Sequence, residues 1–107
     1  MTSSPRTECF IYQLVPGCGP TYDEYHRAVW PEVRTSLRAS GIVEYAIYRR
    51  GDLVISVLTR DPSLAVESVD PEVRRRVEEW AALMAPLFVA SADEDGLPLF
   101  ADHIFQL

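Results

Sequence analysis

Strand-like and helix-like spacings of apolar residues alternate along this chain. Cys9 to Val15 reads CFIYQLV, rich in strand formers and ended by the breakers of Pro16 to Pro20, and predicts a strand. From Thr21 the spacing becomes helical. Thr21-Tyr22-Asp23-Glu24 has the form of a capping box, whose hydroxyl and carboxylate each satisfy a free backbone donor. This predicts a helix to about Ser40, with Gly41 as its left-handed stop. Pro31 lies inside it, removes one donor and predicts a bend near Arg27. Val43 to Tyr48 and Leu53 to Thr59 read as two strands joined by a turn over Arg49 to Asp52. Asp61-Pro62 and Asp70-Pro71 each set a capping acid before a proline at a first helical position. The first predicts a short turn, Ser63 to Ser68, and the second a helix from Pro71 to about Phe88. Ala90 to Gly96 reads as an acidic surface loop, and Phe100 to Leu107 as a last strand.

The order is β-α-β-β-α-β. It predicts an α+β, ferredoxin-like fold: a four-stranded antiparallel sheet with both helices on one face. With 107 residues there is room for one domain, read as a polar tail over residues 1–7 and a folded unit over 8–107. The chain is 48% hydrophobic, enough for a packed core, but a domain this small buries a modest share of its surface. One sheet face is left without helices, and a homodimer through that open face is the expected way to cover it.

Charge and cysteine content narrow the partners. The net charge is −6, and the run Arg74, Arg75, Arg76 sits among Glu72, Glu78 and Glu79. A phosphate backbone requires a clustered basic surface, so nucleic acid is not an expected partner. No stretch approaches the roughly 20 apolar residues that span a bilayer, and Met1 to Thr7 lacks the apolar segment of a signal peptide. No membrane association and a cytoplasmic location are the expectations. Cys9 and Cys18 form no CxxC motif and have no matching Cys/His cluster, so no metal site is expected.

Candidate chemistry lies on the helix faces. At about 100° per residue, Tyr22, His26, Val29, Trp30, Val33 and Leu37 share one sector. That sector faces the sheet, which turns His26 and the Tyr22 hydroxyl inwards. Two readings follow from the pattern alone: a core histidine bonded to one backbone carbonyl, or a pocket histidine beside a phenol. On the second strand Tyr45 shares a face with Val43 and Ile47, opposite Glu44, Ala46 and Tyr48. Its phenol reaches the His26 region if that face meets the helices; otherwise it is ordinary aromatic packing. The second helix carries the stripe Val73, Val77, Trp80, Met84 and Leu87, which reads as core, although the Trp80 indole also offers an apolar plate and one donor. His103 is a weaker candidate. Asp93, Glu94 and Asp95 read as a solvated loop cluster. No P-loop, Rossmann glycine signature or nucleophile elbow occurs.

The run Tyr22-Asp-Glu-Tyr-His26-Arg-Ala-Val-Trp30-Pro31-Glu32 closely resembles the L-rhamnose mutarotase family. The pattern continues through Leu37, Gly41-Ile42 and Tyr45-Ala-Ile-Tyr48, resumes at Trp80 with Met84-Ala-Pro-Leu-Phe88, and ends with His103-Ile-Phe105. The resemblance implies a dimeric α/β-barrel built from ferredoxin-like units. It implies interconversion of the α and β anomers of L-rhamnose, or a similar 6-deoxy sugar, without a cofactor. It makes His26 the catalytic proton donor, and Tyr22, Tyr45 and Trp80 the residues binding a monosaccharide. Three features depart from the family: Ala81 follows Trp80 where some members carry a second tryptophan, Arg74 to Glu79 is slightly long, and acidic Glu8 opens the first strand. Two other readings suit the same fold, a barrel monooxygenase or haem-degrading protein, and a non-catalytic sugar-binding or regulatory protein.

Overall fold

The computed structural model describes residues 4–89 and 98–107; the expected acidic loop, Ala90 to Gly96, lies outside them. Four strands, β1 (Arg6–Gln13), β2 (Ile42–Arg50), β3 (Leu53–Arg60) and β4 (Leu99–Ala101), form one sheet in the order β2-β3-β1-β4, and every described pairing is antiparallel. Three helices, α1 (Gly19–His26), α2 (Pro31–Ala39) and α3 (Pro71–Met84), lie between the strands in sequence.

The single helix expected from Thr21 to Ser40 is two helices. Trp30 has φ −59° and ψ 140°, the extended conformation forced on a residue whose successor is proline, because the proline ring collides with an α-helical predecessor. Pro31 therefore breaks the helix and starts a new one at its first turn. The capping box is also displaced. Pro20 lets α1 begin at Gly19, two residues before Thr21, and Cys18 at the N-cap supplies no side-chain hydrogen bond. Glu24 pairs instead with Arg27. α2 ends as expected at Gly41, whose φ is +91°. The Gly41 carbonyl accepts from the Asp61 amide at 2.7 Å.

The register fixes which side chains meet the helices. Phe10, Tyr12 and Leu14 share a face with Val54, Ser56 and Leu58 of β3. Tyr45, Ile47 and Arg49 of β2 pair with Leu58, Ser56 and Val54. On this face Phe10, Ile42 and Leu58 pack with Leu37, and Leu14 and Val54 pack with Tyr22, Leu87 and Phe88. A third cluster of Val33, Trp80 and Met84 joins α2 to α3. The expected grouping of Val43 with Tyr45 is overturned by a β-bulge between Ile42 and Glu44. The extra residue turns Ile42 inwards, 8% exposed, and leaves Val43 50% exposed. Cys9, Ile11, Ile55, Val57 and Tyr48 take the opposite face.

The remaining boundaries moved at turns and prolines. β1 starts three residues before Cys9, with Arg6 and Thr7 paired to Arg60 and Thr59. The turn over Asp61–Leu64 is a short 3₁₀ helix capped by the Asp61 carboxylate. α3 is capped by Asp70, whose Oδ1 accepts from the Glu72 amide at 2.8 Å, and stops at Met84, where Pro86 reduces the chain to a 3₁₀ turn. That turn delivers Phe88 to a bridge with Leu14. The last strand ends at Ala101 rather than Leu107. Beyond it Ile104 is 92% exposed, and Phe105 and Leu107 are exposed as well. An alternating apolar tail looks the same in sequence whether or not a sheet edge receives it. No described helix is long and apolar enough to cross a membrane.

Candidate functional site

Tyr22 and His26 are one helical turn apart, so their side chains rise on the same side of α1. The Tyr22 ring is 5% exposed among Leu14, Val54 and Phe88. The half-buried imidazole stacks on it, ring centroids 4.0 Å apart and planes at 26°. His26 Nδ1 lies 2.8 Å from the Tyr22 backbone carbonyl. A carbonyl only accepts, so Nδ1 carries the hydrogen and donates it. That bond fixes the neutral tautomer and leaves Nε2 as the nitrogen with a free lone pair. The first sequence reading, a histidine bonded to one backbone carbonyl, thus holds. One ring nitrogen is satisfied by a backbone carbonyl, and the other has no hydrogen-bond partner among the described residues.

Trp80 closes the second side. Its indole meets His26 edge-on with centroids 5.5 Å apart, and Trp30 and Tyr25 stand edge-on to it at 5.2 and 6.1 Å. Arg76 stacks 3.9 Å over the Trp30 ring and lies 3.6 Å from Glu32 Oε1, which holds Trp30 between α2 and α3.

Tyr45 does face the helices, 37% exposed, whereas Tyr48 points to the other side at 62%. The Tyr45 ring packs edge-on against Phe10, centroids 6.3 Å apart. The Tyr45 phenol is near enough to that of Tyr22 to influence its ionisation. Burial is the main cause that raises Tyr22 far above the ordinary phenol value, and the neighbouring Tyr45 and Tyr12 phenols add to it. Burial likewise raises Tyr45, partly offset by a hydrogen bond with Ser56, and raises Tyr12 with help from Tyr45. Each phenol therefore stays protonated at neutral pH, able to donate and to accept.

Tyr12 was missed by the sequence reading. Its ring lies 5.8 Å from Phe10 and 4.7 Å from Phe88. The signal was present, since Tyr12 alternates with Phe10 and Leu14 along β1. His103 is not at the site; it sits on the exposed C-terminal tail, 3.2 Å from Gln106 Oε1. A shallow groove of about 220 Å³ between α2 and residues 66–74 touches none of these side chains.

The His26 ring thus meets both Tyr22 and Trp80, with Tyr45 and Tyr12 on the helix-facing side of the sheet. Tyr45 is 37% exposed, whereas Tyr22 and Trp80 are buried. The arrangement offers an open imidazole nitrogen, neutral hydroxyls and an aromatic plate, a set suited to proton transfer on a small neutral polyol.

Comparison with known proteins bears out the resemblance read from the sequence. The profile of the L-rhamnose mutarotase family matches residues 7–107. An L-rhamnose mutarotase of Verminephrobacter eiseniae is 32% identical over 100 residues, covering 90% of this chain and 89% of that protein. An L-fucose mutarotase of Xanthomonas campestris is 39% identical over 71 residues, covering 59% of this chain and 54% of that protein. The crystal structure of an L-rhamnose mutarotase from Formosa agariphila superposes with a TM-score of 0.72 at 19% identity, over 95% of this chain and 98% of that one. That similarity bears on the fold.

Proposed function

The chain belongs to the L-rhamnose mutarotase family, and on that footing we propose that it interconverts the α and β anomers of L-rhamnose or a similar 6-deoxy sugar. His26 is the general acid, Tyr22 and Tyr45 hold sugar hydroxyls, and Trp80 packs on an apolar face of the ring. The observation that carries this reading is the bond from Nδ1 to the Tyr22 carbonyl, which aims the reactive nitrogen away from α1.

Mutarotation opens the pyranose to the free aldehyde and recloses it on the other carbonyl face. Opening requires a proton on the ring oxygen and loss of one from the anomeric hydroxyl. In the imidazolium form both nitrogens carry hydrogen. Nδ1 keeps its backbone acceptor, and Nε2 donates to the ring oxygen. A positioned acid of this kind is worth roughly 10²–10⁴-fold. Solvent water takes the anomeric proton on opening; reclosure returns the ring-oxygen proton to Nε2 while water protonates the new anomeric oxygen, so the cycle consumes nothing. The neutral phenols of Tyr22 and Tyr45 hydrogen-bond hydroxyls without competing for the proton.

The protomer is proposed to work as a homodimer of ferredoxin-like units in the cytoplasm, paired through the open sheet face into a barrel. The described helices pack only against the opposite face, and the exposed side carries Tyr48, Leu53 and Leu99. An apolar surface of this kind marks an interface.

The test is saturation-transfer NMR between anomers over a panel of L-rhamnose, L-fucose and other 6-deoxy sugars. Exchange above the buffer rate, fastest for L-rhamnose, is the expected result. Binding without faster exchange for any sugar sinks the enzymatic reading, and faster exchange only for L-fucose reassigns the substrate.

A further inference from the structure

α1 is a weak helix on which to mount a proton-transferring residue. It has eight residues, fewer than the roughly 12–15 at which an isolated helix becomes even marginal. Its N-cap makes no side-chain hydrogen bond, its first turn holds no acidic residue, and only Gly19 and Tyr22 are buried. At its C-terminal end the chain breaks before Pro31, so α2 does not continue it. A tether to the sheet is needed.

Arg49 provides one. It lies on the helix-facing side of β2, paired with Val54. Its Nε donates to Asp23 Oδ1 at 2.7 Å, its Nη2 donates to Asp23 Oδ2, and its Nη1 donates to the Gly51 carbonyl at 2.8 Å. Both forks of the guanidinium are thereby used, one on α1 and one on the β2–β3 turn. The seat is shaped for this group. A Cβ on Gly19 would fall 2.5 Å from Arg49 Nη1 and 2.9 Å from Cζ, so the missing side chain at position 19 lets the guanidinium lie against the start of α1. Hydrogen bonding to Arg49 holds the Asp23 carboxyl below its ordinary range, and the same bond raises Arg49. The pair is ionised at neutral pH. Neither residue stood out in the sequence, where Asp23 had a helix-start explanation and Arg49 was a turn residue.

We infer that Asp23 and Arg49 are positioning residues, whose two-pronged ion pair, seated on Gly19, holds Tyr22 and His26 in register over Tyr45. The inference rests on the proposed role of His26. A half-exposed ion pair adds little to global stability, so its effect is geometric. Misplacing a reacting group by about 1 Å costs on the order of 10²-fold in rate.

The experiment measures anomer exchange, thermal unfolding and amide hydrogen exchange along α1 in Arg49→Leu, Arg49→Lys, Asp23→Asn and the Arg49→Leu/Asp23→Asn double variant. In Arg49→Leu and Asp23→Asn, kcat is expected to fall at least about 10-fold with KM less affected. The double variant should lose no more than either single, because the two residues act as one unit. Arg49→Lys, which keeps the charge and loses the fork, should fall between. Amide exchange in α1 should quicken in Arg49→Leu while the melting temperature stays nearly unchanged. A kcat within a factor of about two of the unaltered protein overturns the inference, as does a loss of rate that tracks a collapse in melting temperature. Full activity in His26→Ala would refute the role of His26, yet α1 amide exchange in Arg49→Leu would still report whether the pair holds the helix.

Discussion

The imidazole of His26 meets the indole of Trp80 edge-on, with ring centroids 5.5 Å apart and planes at 76°. The histidine sits on an eight-residue helix and the tryptophan on a fourteen-residue one, so the contact joins a lightly anchored element to a well-packed one. Through Trp30, Val33 and Met84 the tryptophan is part of the cluster between α2 and α3. The longer helix thus supplies the ring against which the imidazole rests.

Replacing His26 tests the proton transfer directly. The ring is half-buried, so His26→Ala should fold, with circular dichroism and melting close to those of the unaltered protein. Exchange should drop by about 10²–10⁴-fold. His26→Gln sharpens the point, since its amide can still donate to the Tyr22 carbonyl but cannot pass a proton. An equal loss in both variants is expected in saturation-transfer measurements; retained exchange in His26→Gln would remove the imidazole from the mechanism.

Trp80 has a packing role and a proposed sugar-facing one, and two substitutions separate them. Trp80→Ala empties a buried site in the α2–α3 cluster and should cost about 3–5 kcal/mol in urea unfolding, a large part of a small domain's stability. Trp80→Phe keeps an aromatic ring against Trp30 and His26 at smaller area. It should remain folded, and its KM should rise more than its kcat falls. If KM is unchanged in that variant, the indole does not touch the sugar.

The three site phenols predict alkaline sensitivity with a definite sign. Tyr12, Tyr22 and Tyr45 are all raised in the fold, chiefly by burial, while in the unfolded chain each titrates near about 10. Above that pH the unfolded chain gives up protons that the folded one keeps, so the unfolded state gains. The contribution is whole below pH of about 10 and is lost as pH climbs through the raised values. Melting temperature measured from neutral to pH of about 11 should fall beyond that point, and Tyr22→Phe should flatten the fall. A melting temperature constant over that range, with or without Tyr22, would contradict the burial assigned to these hydroxyls.

Much of this was legible in the sequence, and the misses have physical causes. The inward face Tyr22, His26, Val33 and Leu37 follows from helical spacing and survives the break before Pro31, because Trp30 is turned extended while α2 restarts on the same apolar stripe. Reading Pro31 as a bend weighed the lost donor and not the clash with the residue before it. The shared face of Tyr45 with Ile47 followed from strand alternation, which left open whether that face meets the helices. The placement of Val43 did not, since a bulge inserts one residue without leaving a mark in the apolar pattern. Asp23 and Arg49 are 26 positions apart, and only the pairing of β2 with β3 and the seat at Gly19 bring them together.

Gly41 and Gly51 offer a last test, of where backbone strain and space matter. Both have positive φ, +91° and +58°. At Gly51 a Cβ meets nothing within 4 Å, and its dihedral lies in the left-handed region that asparagine tolerates. Gly51→Ala should cost about 1 kcal/mol and Gly51→Asn less. At Gly41 the same Cβ would sit 2.5 Å from the Asp61 carbonyl oxygen, a backbone atom held by the bond from the Asp61 amide to the Gly41 carbonyl. Relief would have to separate the end of α2 from the end of β3. Gly41→Ala should therefore destabilise by clearly more than the roughly 1 kcal/mol of the dihedral alone, read as a drop in the urea midpoint at constant slope. Equal losses at the two glycines would mean that the close approach at Asp61 relaxes freely and that the junction is held elsewhere.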